Sequence, residues 1–344
     1  MANSILDNSL TRWLGRAVEH DHYRRLGIRN TMQLSRAFNR LKNRKQHLYR
    51  RELYHQLDKL LDDNGPRQTT SHKPRMEDGW ALDTSKSLPH LEQMLEDSEQ
   101  IISERGGVNR GGGGRSFFQQ ILSNEHLSRY PSILNFATSS DVLDVVIDHL
   151  KFIPALSVHK PLGVRLNESD KRFGPDTNGQ LSESQLFHCD YQCTPMVYVI
   201  VTLREVTLKS GPFCFLPLSA SNQAIESLQY GKRGRPYRVT DEEMYKIVNR
   251  DKLFEFTYPA GSVLFLDSSR CFHYGSRDSV VPRYLMMYAY VSVCRTDFGD
   301  LIRPEYNEPV CDERARLWRS SYPTYSEDSH LRRLLIDWRY MGDD

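Results

Sequence analysis

The sequence predicts an α+β protein, a jelly-roll core of antiparallel strands with the N-terminal helices packed outside it. Three observations carry this expectation. Leu34 to Leu61 is free of Gly and Pro, and Leu34, Phe38, Leu41, Leu48, Leu53, Leu57 and Leu60 recur there mostly at helical steps between basic residues. From about Pro161 the texture changes to short runs rich in Val, Ile, Tyr and Phe, separated by Gly, Pro, Asn, Asp or Ser and not by long helices. Finally, 344 residues with 39% hydrophobic content suffice for one large core or two modest ones, which excludes a chain disordered throughout.

In chain order, residues 34–61 read as one long amphipathic helix with its leucine stripe buried and its cationic face solvated. The run Gly106-Gly107-Val108-Asn109-Arg110-Gly111-Gly112-Gly113-Gly114-Arg115 lacks the Gly-Lys-Ser/Thr ending of a phosphate-binding loop and follows no apolar strand, so it reads as a flexible loop or lid. Ile133 to Ile153 carries apolar residues at helical spacing around Ser139-Ser140-Asp141 and is stopped by Pro154, which predicts a helix packed on the body. Strands are predicted over residues 164–166, 195–203, 212–216, 254–258, 262–266 and 284–293. Between them Ser219 to Arg250 is polar and carries Gly231-Lys232-Arg233-Gly234-Arg235. It reads as a long inserted loop that closes over the site, with a short helix near Asp241 to Asn249. The expected division is therefore a basic helical extension (1–115), a core domain (116–310, with the insertion at 219–250) and a helical C-terminal tail (311–344).

Charge narrows the partners. Lys plus Arg number 46 and Asp plus Glu 44, a formal net of +2, so no global field draws the chain onto nucleic acid or anionic lipid. The charge is segregated, with sixteen bases against seven acids in residues 1–75 and eight acids against two bases in residues 76–105. With the leucines of the first helix taken as buried, its cations read as a solvated face, and neither a membrane nor a nucleic-acid partner is expected. The apolar runs fall short of the roughly 20 residues of a membrane helix, and MANSILDNSLTRW lacks the pattern of a secretory leader. A cytoplasmic protein is expected. Its six cysteines (189, 193, 214, 271, 294 and 311) are expected to stay reduced.

Chemistry concentrates in the β region. In Phe187-His188-Cys189-Asp190, strand geometry sends His188 and Asp190 to one face and Cys189 to the other. An imidazole and a carboxylate so placed are two of the three ligands of a non-heme iron site. Alone the pair is weak, since about one His-x-Asp arises by chance among 12 histidines. Cys271-Phe272-His273-Tyr274-Gly275 supplies the third ligand, and Arg283 follows at the head of the next strand. A hairpin of that length returns Arg283 to the neighbourhood of His273, where its planar fork can bind a carboxylate at two points. A metal triad beside a carboxylate clamp suits 2-oxoglutarate. A zinc site using Cys189, Cys193 or Cys271 is the competing reading, although no Cys-x-x-Cys occurs.

The order His188-x-Asp190, Gly211-Pro212-Phe213-Cys214-Phe215-Leu216-Pro217, Pro259-Ala260-Gly261-Ser262, then His273 with Gly275 and Arg283 resembles the phytanoyl-CoA dioxygenase-like branch of the iron(II)/2-oxoglutarate oxygenases, over roughly residues 160–295. The resemblance implies a double-stranded β-helix with Fe(II) on His188, Asp190 and His273 and 2-oxoglutarate on Arg283. It also implies use of O2 to oxidise a C–H bond by hydroxylation, desaturation or cyclisation. Retention of Asp190 leaves no ligand position for chloride and sets halogenation aside. The chain departs from the family at Leu218-Ser219-Ala220, where Gly-Ser-His is frequent, and at Asp278, where Asn is frequent; both lie away from the ligands.

Lys160, Arg165, Arg233, Arg235 and Arg277 suggest a small anionic substrate, such as a carboxylated natural-product intermediate. Arg165, Tyr191 and Arg277 are the candidates for touching it, with Tyr198, Tyr274 and Tyr288 as further aromatics that serve equally well as core. Two other classes remain open. One is an oxygenase docked on nucleic acid by the basic N-terminal region; the other is a catalytically silent jelly-roll binding protein.

Overall fold

The computed structural model describes residues 27–63, 74–105, 117–157, 163–170, 180–191, 193–235, 237–295, 329–337 and 340–341. Lys160, the Gly106–Gly114 run and most of the 311–344 tail lie outside them. Two antiparallel sheets organise these residues. The larger runs in the order β1 (Trp80–Asp83), β8 (Val263–Asp267), β5 (Val197–Thr202), β10 (Arg283–Val291), β4 (Val164–Ser169) and β2 (Phe118–Gln120), and β3 (Ala155–Leu156) also pairs with β10. The smaller sheet is β7 (Phe254–Glu255), β6 (Cys214–Phe215) and β9 (His273–Tyr274).

The central strands read as unbroken apolar runs because both of their faces are buried. Val197, Val199, Val201, Val263, Phe265, Met286, Tyr288 and Tyr290 face a helical layer. The intervening Tyr198, Ile200, Leu264, Leu266, Leu285 and Ala289 pack with Phe215 of the second sheet and with Phe213 and Phe256, which flank its strands. The layer against the first set contains α4 (Leu91–Glu104), α6 (Ser132–Ala137) and α7 (Ser140–Leu150). The helix expected over 133–153 is thus two, because Thr138 Oγ1 and Ser139 Oγ bond back to the carbonyls of Leu134 and Phe136 and close the first. Among the described residues no helix is long and apolar enough to cross a membrane.

Three expectations are corrected. The long N-terminal helix is divided into α1 (Ile28–Lys42), α2 (Arg44–Tyr54) and α3 (Leu57–Asp63), and its orientation is reversed from Leu34 to Leu48, whereas Leu53 is buried as expected. Leu34, Leu41 and Leu48 are 52%, 66% and 50% exposed, while Asn39, Asn43 and Arg50 are buried. The polar residues turn inward because main-chain carbonyls await them: Asn39 donates to Arg295 O at 3.0 Å and Asn43 to Val293 O at 2.8 Å. Arg50 donates to Pro154 O at 2.7 Å and to Leu334 O at 2.6 Å, the latter on the C-terminal helix α10 (His330–Ile336).

Second, the boundary at residue 115 does not divide the packing. Trp80–Asp83 is a strand of the larger sheet, in register with Leu266–Val263 of β8. Third, Ser219 to Arg250 is not an inserted loop, since it opens with α8 (Leu218–Leu228) and contains α9 (Asp241–Tyr245). Small residues at positions 220, 221 and 224 let α8 sit close against Leu216 and Phe272.

Arg50 provides a test of the packing. Arg50→Ala should strip at least two charge-assisted bonds and leave their carbonyls unpaired, costing about 3 kcal/mol. Denaturant unfolding measures this, and a loss below about 0.5 kcal/mol would remove the clamp from the fold's supports.

Candidate metal centre

The site is assembled by the backbone first. His188 and His273 form an antiparallel bridge, His188 N–H donating to His273 O at 3.1 Å and His273 N–H to His188 O at 2.9 Å. This places their rings side by side, with centroids 4.3 Å apart. Asp190 N–H donates to Ser268 O at 2.8 Å. Ser268 lies in a turn tied by the buried Asp267, whose carboxylate accepts from Ser269 and Arg270 and bonds His149 at 2.9 Å. Burial alone would raise the Asp267 carboxyl, but His149, Arg270 and Ser269 hold it below its ordinary value. On the other flank Ser221 Oγ of α8 accepts Phe272 N–H at 2.8 Å, and Tyr230 Oη accepts Cys189 N–H at 3.1 Å. The segment expected to be a lid thus contributes to the scaffold of the site.

Each histidine turns Nδ1 toward a carbonyl two residues before it, His188 to Leu186 O at 2.8 Å and His273 to Cys271 O at 3.0 Å. A carbonyl only accepts, so both Nδ1 atoms carry the proton and each Nε2 keeps a lone pair for a metal. Burial also lowers the pKa of His273, keeping it neutral despite Asp190. Its Nε2 lies 3.8 Å from Asp190 Oδ2, and this oxygen is buried without a hydrogen-bond partner. One ligand atom from each of His188, Asp190 and His273 lies within 4.8 Å of the others, and among the described residues this is the one such cluster. Two neutral imidazoles and an orphaned carboxylate oxygen fit a divalent cation. The cysteines do not join them: burial raises the Cys189 and Cys271 thiols, disfavouring thiolates, and Cys193 lies in the apolar cluster of Met196 and Val293.

The three side chains line a cleft of about 90 Å³ together with Arg165, Asn167, Ser169, Tyr198, Phe213, Ser276, Arg283, Leu285 and Met287. Arg283 is 5% exposed. It donates to Ser169 Oγ at 2.9 Å, to Ser276 Oγ at 2.8 Å and to Gly211 O. Its partners are neutral, and among the described residues it has no carboxylate. Burial lowers its pKa to about 10, so it stays cationic at neutral pH. β4 explains the rest of the wall. Its register sets Ser169 opposite Arg283 and Arg165 opposite Met287, and Arg165, Asn167 and Ser169 alternate onto the cleft. Arg165 is half-buried in that wall.

Two substrate candidates fall elsewhere. Arg277 faces a separate cleft with Asp241 and Tyr245, bonding Asp241 at 2.9 and 3.0 Å and stacking 3.3 Å from the Tyr274 ring centroid. Tyr191 sets its ring edge-on to Tyr237 at 6.3 Å and is absent from the cleft wall. Tyr288 is buried on the helical face of the larger sheet. Sequence reasoning missed Ser169, Ser276 and Asn167, whose placement depends on strand register. Only Ser276, three residues beyond His273, carried a local hint.

The donor set could hold a single divalent cation in a cleft between the two antiparallel sheets. No protein-family model and no curated protein matches the sequence. Among solved structures, the chain is similar to the non-heme alpha-ketoglutarate-dependent epimerase SnoN from nogalamycin biosynthesis, at 14% identity and TM-score 0.42 over 70% of this chain and 84% of that one. EctD from S. alaskensis with 2-oxoglutarate and 5-hydroxyectoine aligns at 14% identity and TM-score 0.43, over 67% and 87%. EvdO2 from Micromonospora carbonacea var. aurantiaca complexed with 2-oxoglutarate aligns at 18% identity and TM-score 0.39, over 65% and 92%.

Single variants His188→Ala, Asp190→Ala and His273→Ala should each weaken binding of Fe(II) or Mn(II) by more than about 100-fold, beyond the usual effect of losing an outer-shell partner. Calorimetric titration of the purified variants reads this directly. Near-native affinity in any one of them would strike that residue from the set.

Proposed function

We propose that the protein is an iron(II)/2-oxoglutarate-dependent oxygenase acting on a C–H bond of a small anionic molecule, with the two sheets, β1 at residues 80–83 included, as a double-stranded β-helix. One observation carries this reading: a buried, uncompensated Arg283 shares a narrow cleft with an orphaned Asp190 oxygen and two histidines poised to ligate. A buried cation held only by hydroxyls and a carbonyl is costly unless an anion completes it. 2-Oxoglutarate supplies that anion at one end and a chelating keto-acid at the other. His188, Asp190 and His273 would hold Fe(II), and the iron with its co-substrate would supply the oxidising power from O2.

The chain's own residues then set the geometry. Arg283, fixed by Ser169 and Ser276, orients the distal carboxylate of the co-substrate. Phe213 stacks on His273 with ring centroids 5.4 Å apart and walls the metal from one side. Leu285 and Met287 offer apolar surface along the floor. Arg165 stands four residues along β4 from Ser169, roughly 13 Å at about 3.3 Å per residue. It is therefore assigned to the anionic group of the substrate. Hydroxylation, desaturation and cyclisation all fit this arrangement.

The test measures succinate release dependent on 2-oxoglutarate across a panel of carboxylated and phosphorylated metabolites, with products identified by mass. Arg283→Lys keeps the charge but loses one arm of a two-point contact, and should weaken the co-substrate by about 10- to 150-fold, corresponding to about 1.5–3 kcal/mol. Metal affinity should be unchanged. If co-substrate affinity is unaltered while thermal stability falls, Arg283 is a structural residue and the oxygenase reading fails. Arg165→Ala should raise KM for the substrate while leaving that for 2-oxoglutarate within about threefold; equal rises in both would place Arg165 on the co-substrate instead.

A further inference from the structure

Helices α1 and α2 bury Ile28, Met32 and Leu53 at their ends, but between these they turn three leucines outward and polar residues inward. The ladder runs through their junction, with Asn43 N–H on Asn39 O at 2.8 Å and His47 N–H on Asn43 O at 2.9 Å. They therefore share one set of faces. At 100° per residue, positions nine apart lie on opposite sides. Each exposed leucine is so placed against a buried polar residue: Leu34 against Asn43, Leu41 against Arg50, and Leu48 against Asn39. The polar side is fastened to the body through main-chain carbonyls, which fixes the leucines outward. Leucines held in water at seven-residue spacing cost solvation unless something covers them.

The flanks of this ridge are cationic. Arg44, Lys45 and Arg51 fall three or four positions after Leu41 or Leu48 and are exposed, as is Arg40. None of the four is ion-paired among the described residues, and Glu52 is the sole acid in either helix. At the start of α1, Arg29 N–H bonds Gly231 O at 2.9 Å, bringing the exposed Lys232, Arg233 and Arg235 alongside.

We propose that this face docks the protein on an anionic lipid bilayer, the leucines entering the acyl boundary while the flanking cations meet headgroup phosphates. The observations favour lipid over the other polyanions. A protein partner is usually gripped by aromatic anchors seated in pockets, and single-stranded nucleic acid by stacking rings. The described exposed side chains between residues 29 and 52 include neither a Trp nor a Tyr; their apolar members are a line of leucines and Ala37, set among long cations. A fluid surface asks for no shape complementarity. The proposal does not depend on the metal-site reading.

Full-length protein sedimented with vesicles of phosphatidylcholine and phosphatidylserine, mixed at about three to one, should bind at low salt and not to phosphatidylcholine alone. The bound fraction should fall as salt screens the cations. Replacing the ridge by Leu34→Ser, Leu41→Ser and Leu48→Ser together should cut partitioning at least about tenfold with an unchanged melting temperature. Arg44→Gln with Lys45→Gln and Arg51→Gln should weaken binding and flatten its salt dependence. The salt titration of the unmutated protein stands even if a variant misfolds. No sedimentation with anionic vesicles, or equal sedimentation of the triple leucine variant, overturns the proposal. So does a dimer in solution that Leu41→Lys splits, since the ridge is then a self-interface, or RNA binding that outcompetes the vesicles.

Discussion

The two backbone hydrogen bonds between His188 and His273 are the constraint on which the rest of the site depends. They join segments far apart in the chain, and a reciprocal pair of this kind holds two Cα atoms about 5.5 Å apart, close enough for both imidazoles to serve one ion. Around that bridge the main chain is held on every side, by Ser268 O on Asp190, Ser221 Oγ on Phe272 and Tyr230 Oη on Cys189. The chelating side chains inherit their positions from peptide groups. Their rotamers need only point inward.

The larger sheet acts as a ruler for the remaining contacts. Because β4 and β10 pair in a fixed register, Ser169 faces Arg283, and the alternation of side chains lays Arg165 and Asn167 along the same wall. A slip of one residue would send all of these toward the helices and bring Glu168 into the cleft. Burial on the helical face guards against that slip, since Val164, Leu166, Met286 and Tyr288 would then have to leave the core.

Much of this was legible in the chain. Strands buried on both faces announce themselves by composition, and β4, β5, β6, β7, β8 and β10 lie within or across the predicted runs. The three metal-centre residues were legible because a short His-x-Asp and a later His before Arg carry information in their order. Other features were not. The inward turn of Asn39, Asn43 and Arg50 depends on carbonyls of residues 154, 293, 295 and 334, which no local pattern announces. The rule that leucines go inside failed there for that reason. α8 was hidden because its packing face is made of Ala and Ser, which read as loop when polarity is weighed alone. Arg277 misled because proximity to His273 in sequence says nothing about which side of the smaller sheet a side chain takes.

The Arg50 clamp has a consequence for how the C-terminal segment can change. Its guanidinium addresses the main-chain carbonyls of residues 154, 334 and 337. Main-chain oxygens are common to every amino acid, so this fastening is indifferent to spelling. Substitutions at His330, Arg332 and Arg333, the half-buried positions of α10, leave those oxygens in place, while any change that shifts the axis of the helix is felt at once by the buried guanidinium. The shape of α10 is thus held twice, through its backbone at Arg50 and through the buried Leu331, Leu334, Leu335 and Ile336.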